Sequence, residues 1–514
     1  MGKADALAFF YTEIRSNCPV FILNIDQIRS DLEEFNSLLD QEYYLNGAGL
    51  KDKIEAAKIY EKYGHLFKRA ILDEVQKEAR SADGEKERRL RYLRSFLFGN
   101  YMENRVKQLS DKATTVESEA TVTVAGDTYP FRQAAVVMVN EPNRKKRASI
   151  FGARNRVIET INPTLEERML VLHKTAHELG YSDYVKLYED IKSIQLESLD
   201  LLLRSFLEKT KASYTTQLGE LTKTQAGATL PEAEKHDISY VFRAIEFDSF
   251  FRREKAIETL KRTLAGMGIR LDEQRNIHLD VEERPKKTPR AFVSPIKVPD
   301  DVRLVVMPQG GHDDYASIFH EAGHAEHYGS TRSDLPVEYR YLGDNSLTEG
   351  YAFLMEYLLT NPHWLAKYTG MREPRAFLKF VYLYKLYFLR RYAAKLTYEL
   401  ALHRKGLKDA PNRYKETLEL SLVFKHPASH YLMDVDDGFY CANYLRAWIF
   451  ESQVKRILTE SFGEDWFLKR GAGIQLQKWW SLGQKYQVEE MLRDLGYKGL
   501  DLNPLVEEIT SSLK

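Results

Sequence analysis

Apolar residues recur at helical spacing along most of the chain. Clear cases are IRSDLEEFNSLLDQEYY (28–44), LEERMLVLHKTAHELGY (165–181) and FLKFVYLYKLYFLRRYAAKLTYELALH (377–403), with Gly and Pro mostly between such blocks. This period predicts amphipathic helices and a mainly α fold. The start of the third block is apolar enough to suggest a membrane span, but Lys379, Lys385, Arg390 and Arg391 interrupt it. It therefore predicts a buried helix whose charged groups snorkel to the ends.

Two stretches break the helical rhythm. TVTVAGDTYPF (121–131) alternates and turns at Gly126-Asp127, which predicts a hairpin within 121–138. RAFVSPIKVPDDVRLVVMP (290–308) is rich in β-formers, and Pro295 and Pro299 cannot donate to a ladder. It predicts an edge strand and its partner, and an edge strand can hold an extended peptide through its backbone. The polar VEERPKKTPR (281–290) is the best linker candidate. It divides the chain into an N-terminal helical lobe, 1–285, and a second lobe, 286–514, with the two intertwined.

With 514 residues, 43% hydrophobic and 29% charged, the chain has the composition of a soluble globular protein large enough for an enclosed site. The 75 basic and 75 acidic residues cancel, so no global charge marks a nucleic-acid or membrane partner. The basic runs RRLRYLR (88–94) and NRKKR (143–147) belong to no nucleic-acid module and are expected to be solvated helix faces. Cys18 and Cys441 are too few and too far apart for a disulfide framework or thiolate metal site, so any metal would use His and carboxylates. The start, MGKADALAFFYTEIR, has no basic-then-apolar leader, and a cytoplasmic, monomeric protein is expected.

The densest chemistry is HEAGHAEH (320–327). On a helix capped by Asp313 or Asp314, with His312 in the preceding loop, His320, His324 and His327 share one face. Two imidazoles one turn apart can chelate a zinc ion. Glu321, rotated about 100°, stands beside the metal where a general base belongs. Gly323 removes bulk, so another element can approach. A chance His-Glu-x-x-His arises in roughly 3 of 100 such chains, so the motif needs support elsewhere. A catalytic zinc keeps three protein ligands and one open position. Glu349, opening the apolar helix SLTEGYAFLMEYLLTNP (346–362), is the third ligand candidate. Glu356, two turns on, could orient a ligand imidazole, and His327 could pack or hydrogen-bond near the site.

HEAGHAEH, with Glu349 and Glu356 at their intervals, resembles the thimet oligopeptidase and oligoendopeptidase F family of gluzincin peptidases. KKTPRAF (286–292) and LGYSDYVKLYE (179–189) resemble that family more weakly. DLPVEYRYLGDNSLTEG (334–350) and the His430…Tyr440 pair are distantly similar to angiotensin-converting enzyme. Ala428 and Phe439 stand where that enzyme has a carboxylate-binding lysine and a chloride-binding arginine, which argues against chloride dependence and obligatory dipeptidyl-carboxypeptidase action. The likeness extends over about residues 170–500 and is sharp only over 287–356 and 426–450.

The resemblance implies a two-lobed helical peptidase with a deep substrate channel and a small β-sheet next to one zinc ion per chain. His320, His324 and Glu349 would bind the metal, Glu321 would act as base, and His430 and Tyr440 would stabilise the oxyanion. Ala291, Phe292, Val293, Ser294 and Tyr444 would contact short unfolded peptides, and the C-terminal lobe would be the catalytic one. Two alternatives stay open: a carboxypeptidase or dipeptidyl carboxypeptidase on the same fold, and a catalytically silent peptide-binding protein.

Overall fold

The computed structural model describes residues 24–243 and 245–514; Cys18 and the amino-terminal start discussed above lie outside them. The protein is mainly helical. In chain order the elements that matter here are α1 (Ile25–Gly47), α2 (Gly84–Glu119), β1 (Thr121–Val124), β2 (Asp127–Pro130), α3 (Arg144–Glu178), α4 (Tyr184–Lys192) and α5 (Leu196–Ala226). There follow β3 (Ile277–Asp280), β4 (Phe292–Lys297), β5 (Asp301–Val305), α6 (His312–Ser330), α7 (Asn345–Glu356), α8 (Arg375–Lys405), α9 (Tyr440–Phe462) and α10 (Val488–Asp494). One continuous apolar core runs from α1 to the C-terminal helices, and a smaller one lies beneath the hairpin around Val122, Phe131 and Ile150.

The hairpin turns one residue earlier than its sequence suggests. Val124 pairs with Asp127, and Ala125 and Gly126 both take positive φ, 53° and 93°, as a tight two-residue turn requires. It ends at Pro130 rather than near 138, because Phe131 opens a helix. The second β region forms a three-stranded sheet in the order β3-β5-β4. β4 is an edge strand, as Pro295 demands, with a register irregularity between Ser294 and Lys297. β3 pairs parallel to β5 and went unpredicted, since IHLD is too short to show alternation.

Because β3 and β4 belong to one sheet, the polar segment 281–290 joins two strands of the same sheet. Its charges are paired: Arg284 donates to Asp280 at 2.9 Å and to the Ala48 carbonyl at 2.9 Å, and buried Lys287 reaches Asp280 Oδ1 at 2.9 Å. The basic runs are likewise held internally. Arg144 and Arg147 bond Asp237, and Arg88, Arg89 and Arg94 reach Glu490, Glu338 and Asp190. Arg147 is therefore buried rather than part of a solvated face.

Helix α8 is buried, but its central charges do not snorkel. Lys385 lies against Glu451 at 3.0 Å and over the Tyr357 ring at 3.6 Å. Arg390 donates to the carbonyls of Ser421 and Leu207 and to Thr210. Internal acceptors stand in for water, which is the condition for burying such groups. Among the described residues no helix is long and apolar enough to cross a membrane.

α1 packs on β4: Ser294 Oγ donates to the Asp40 carbonyl at 2.8 Å. Burial pushes the Asp40 side-chain carboxyl up to about 7. In the unfolded chain it ionises near pH 4, so between about pH 4 and 7 the unfolded state ionises while the folded state holds its proton. Stability is lost as pH rises through that window and the penalty is constant above it. Asp40→Asn is therefore expected to be more stable than wild type in urea titrations at pH 8 and close to it at pH 4. Equal stability at pH 8 would contradict a buried carboxylate there.

Candidate metal centre

Gly310 and Gly311, with φ of 85° and 91°, turn the chain sharply into α6, so the helix starts at His312 rather than after an Asp313 or Asp314 cap. Asp314 instead accepts the backbone N–H groups of Gln309 and Gly310 at 2.8 and 2.9 Å, fixing that turn. α7 starts from a true cap, with Asp344 accepting the Ser346 N–H at 3.0 Å. The Asp344 carboxylate is also gripped by Arg446 of α9 at 2.9 and 2.8 Å. Thus α7 is tied at its first turn to the helix that carries Tyr440.

α6 and α7 meet at Gly323. A Cβ there would stand 2.6 Å from Ala352 Cα and 2.9 Å from the Tyr351 carbonyl oxygen, so glycine is what lets the two backbones approach. That contact brings His320, His324 and Glu349 together, with their ligand atoms within 4.8 Å of one another. Glu349 Oε2 is 3.4 Å from His320 Nε2 and 3.6 Å from His324 Nε2. Tetrahedral bonds of about 2.0–2.1 Å set ligand atoms ~3.3–3.4 Å apart. Oε2 is buried with no hydrogen-bond partner, a costly state for a carboxylate oxygen unless a cation completes it.

The remaining atoms of the three residues are held from behind. His320 Nδ1 meets Glu356 Oε2 at 2.9 Å and His324 Nδ1 meets Thr348 Oγ1 at 2.8 Å, which turns both Nε2 atoms inward. The Tyr440 hydroxyl donates to Glu349 Oε1 at 3.0 Å. Burial disfavours charge on His320, but Glu349 and Glu356 outweigh it and push the ring up to about 10. Burial also opposes the Glu349 charge, yet the two imidazoles hold that carboxyl well below its usual range. Burial and the neighbouring Glu349 carboxylate raise the Tyr440 phenol, so it stays protonated and able to donate.

Glu321 Oε2 accepts the Val293 backbone N–H of β4 at 3.0 Å, so the sheet edge anchors the candidate base. A cavity of about 830 Å³ opens on His320, Glu321, His324, Glu349 and Glu356 and is walled by Tyr444 and Trp448. Of the expected peptide contacts, Ala291, Phe292, Val293 and Ser294 do not line it, whereas Arg290, just before β4, does. Ala291 is buried, Phe292 lies against Gly47, and the Ser294 hydroxyl is held by Asp40.

Two further expectations need correction. His327 does not support a ligand: its Nε2 meets the Gly483 carbonyl at 3.2 Å and its ring packs on Tyr328 and Tyr351. Burial pushes it down to about 3, so it is neutral. His430 is not brought to the cluster either. It lies in a short 3-10 turn, with Nε2 on Asn155 Oδ1 at 2.9 Å and Nδ1 facing Lys235 at 3.2 Å. The chain between it and Tyr440 is not one helix, since Gly438 and Phe439 are left-handed, with φ of 60° and 56°. Thr348 escaped the sequence reading, although its place next to Glu349 was the available signal.

A second group, Glu399, Asp436 and Cys441, also has closely spaced donors but does not suit an ion. Glu399 already accepts from the Asp436 N–H and the Cys441 thiol, Asp436 is bonded to Lys395 at 2.7 Å, and burial pushes Glu399 up to about 8. No known family profile matches the chain, and no curated protein matches it.

Gly323→Ala is expected to force α6 and α7 apart, costing about 1–3 kcal/mol and weakening metal uptake. Equilibrium denaturation and metal titration would measure both, and an alanine variant as stable and as metal-competent as wild type would show that the approach is not tight.

Proposed function

We propose that the protein is a zinc-dependent oligopeptidase that hydrolyses short unfolded peptides in a channel between two helical lobes. The observation that carries this reading is the unpartnered Glu349 Oε2 facing two inward imidazole nitrogens, with Glu321 on the same helix. A donor set of two imidazoles and one carboxylate at this spacing, with no thiolate, suits zinc and leaves one position open. When bound, the ion supplies Lewis acidity toward water and toward the peptide carbonyl.

The chain's own residues supply the rest. Glu321 takes the proton of the attacking water and returns it to the departing amine, so the carboxylate ends the cycle unprotonated. The Val293 N–H bond restrains Glu321 without occupying its other oxygen. Tyr440 releases Glu349 and donates to the oxygen on which charge develops, a role in which one donor is worth about 10²–10³ in rate. His430 is left out of this scheme. Glu356 and Thr348 hold the imidazoles, and the aromatic wall of Tyr444 and Trp448 excludes water from one side of the cleft. The cavity volume matches that of small-ligand clefts, roughly 300–1,000 Å³, and so favours a few residues of extended peptide over a folded protein.

Elemental analysis and cleavage of a quenched peptide library test the proposal together. Wild type and Glu321→Gln should each carry about one zinc, with turnover falling at least ~10²-fold in the variant. His324→Ala should lose metal and turnover. Zinc without cleavage in wild type would favour a silent peptide-binding protein, and no zinc uptake would remove the metal centre. Tyr440→Phe should keep its zinc and lower kcat by about 10²-fold with little change in KM. An unaltered kcat would dismiss the phenol as an oxyanion donor.

A further inference from the structure

The cavity over the metal centre is bounded by aromatic rings from three helices. On α8, Tyr384, Phe388 and Tyr392 line it at every fourth residue, so they share one helix face. Tyr444 and Trp448 of α9 and Phe353 and Tyr357, at and just after the end of α7, line it with the same spacing. Aromatic stripes at helical spacing commonly fill a core. The three α8 rings are instead partly exposed, whereas their neighbours Leu383, Leu386 and Leu389 are fully buried. The leucines serve the core and the rings face the cavity.

The rings form one connected wall that starts at the metal centre. Phe353 packs on the His320 imidazole, with centroids 5.1 Å apart, and stacks on Trp448 at 4.9 Å. Tyr444 meets Tyr440, the phenol bonded to Glu349, at 5.2 Å. Tyr392 links α8 to this group, standing nearly perpendicular to Tyr444 at 5.5 Å and to Trp448 at 5.4 Å. Tyr384 and Phe388, 4.7 Å apart, extend the wall along α8. The Trp448 indole N–H donates to the Tyr357 hydroxyl at 2.9 Å, which fixes the largest ring.

Charge is not what this wall offers. Lys385 is held by Glu451 at 3.0 Å and lies over the Tyr357 ring, and Glu356 is held by His320 Nδ1 at 2.9 Å. The other charges of the lining stand on other elements, Arg290 before β4 and Asp313 and Asp314 in the first turn of α6. An aromatic side chain brought to the wall would bury apolar area and gain more besides. Ring faces carry partial negative charge and ring edges partial positive, so rings set edge to face attract beyond their burial.

The wall touches both a proposed metal ligand, through Phe353, and the proposed oxyanion donor, through Tyr444. A peptide residue flanking a carbonyl held between Glu321 and Tyr440 is one step of about 3.3–3.6 Å away. In an extended peptide successive side chains point to opposite faces. Of the two residues flanking the scissile bond, only one can therefore turn toward the wall.

We propose that the α8–α9 wall is a specificity subsite for an aromatic side chain on one side of the scissile bond, with Phe388 and Tyr392 as its determinants. The proposal rests on the peptidase reading and gives it a substrate class: short peptides cut next to phenylalanine, tyrosine or tryptophan.

The test uses the full-length, zinc-loaded protein and end-blocked hexapeptides of one sequence that carry phenylalanine, leucine or alanine at one position. Mass spectrometry of wild-type digests should place the cut beside the varied residue and always on the same side of it. The value of kcat/KM should be about three- to tenfold higher for phenylalanine than for leucine, the size of ring contacts beyond burial, and lowest for alanine. Glu321→Gln should bind fluorescent forms of the peptides in the same order. Tyr392→Ala should bring the phenylalanine-to-leucine ratio below about twofold, and Tyr392→Phe should keep it. Phe388→Leu, which retains bulk and loses the ring, should also lower the ratio, and it serves if thermal unfolding shows that Tyr392→Ala does not fold. Equal kcat/KM for phenylalanine and leucine, cuts scattered about the varied residue, or a preference that survives in Tyr392→Ala and Phe388→Leu would each overturn the subsite and leave the peptidase standing. Aromatic preference in binding by Glu321→Gln with no cleavage by wild type would refute the peptidase and keep the subsite. Neither binding nor cleavage would overturn both.

Discussion

The close approach of α6 and α7 at Gly323 is the constraint on which the rest of the site depends. Each helix alone carries ordinary polar residues on one face. Only when the Gly323 surface lies against the Ala352 backbone does the Glu349 carboxylate stand opposite both imidazoles. The geometry is held from two further directions: the Asp344–Arg446 pair ties the start of α7 to α9, and a Cβ at Gly350 would stand 2.4 Å from the Phe450 ring. Three helices are thereby packed closely enough that a sub-ångström change at any contact would be felt at the cluster.

The electrostatics follow from that packing. Carboxylates and imidazoles drawn out of water must compensate one another, and here they do so incompletely: Glu349 Oε2 faces two nitrogens at distances that suit a shared ion better than a direct hydrogen bond. The supports behind the imidazoles are satisfied, whereas the inward face is not. Unmet polar atoms confined to one buried face mark where a ligand belongs.

The legibility of this site in the sequence was uneven for physical reasons. His320, Glu321 and His324 lie within one helical turn and a half, so spacing alone fixes their relation. Glu356 was readable by the same rule, being two turns from Glu349. Tyr440 needed the resemblance, and His430 shows its limit: ten residues of separation mean little when the intervening chain leaves the helix at Gly438 and Phe439. His327 shares the helix face of His320 and His324, but the face is wide enough for its ring to enter the core and meet Gly483 instead. Hairpin and edge strand were visible through alternation and proline, while β3 is too short for either signal.

By itself the sequence determined what local periodicity encodes: a mainly helical chain, the strand edge at Pro295, and a histidine pair with its glutamate on one face, because side-chain direction within a helix is set by 3.6 residues per turn. Only the tertiary structure decided which distant groups meet that face. Thr348 behind His324, Val293 against Glu321 and Tyr440 on Glu349 are all products of packing between elements. Such contacts depend on small residues at crossing points and on buried ion pairs far apart in the chain, and neither leaves a period in the sequence.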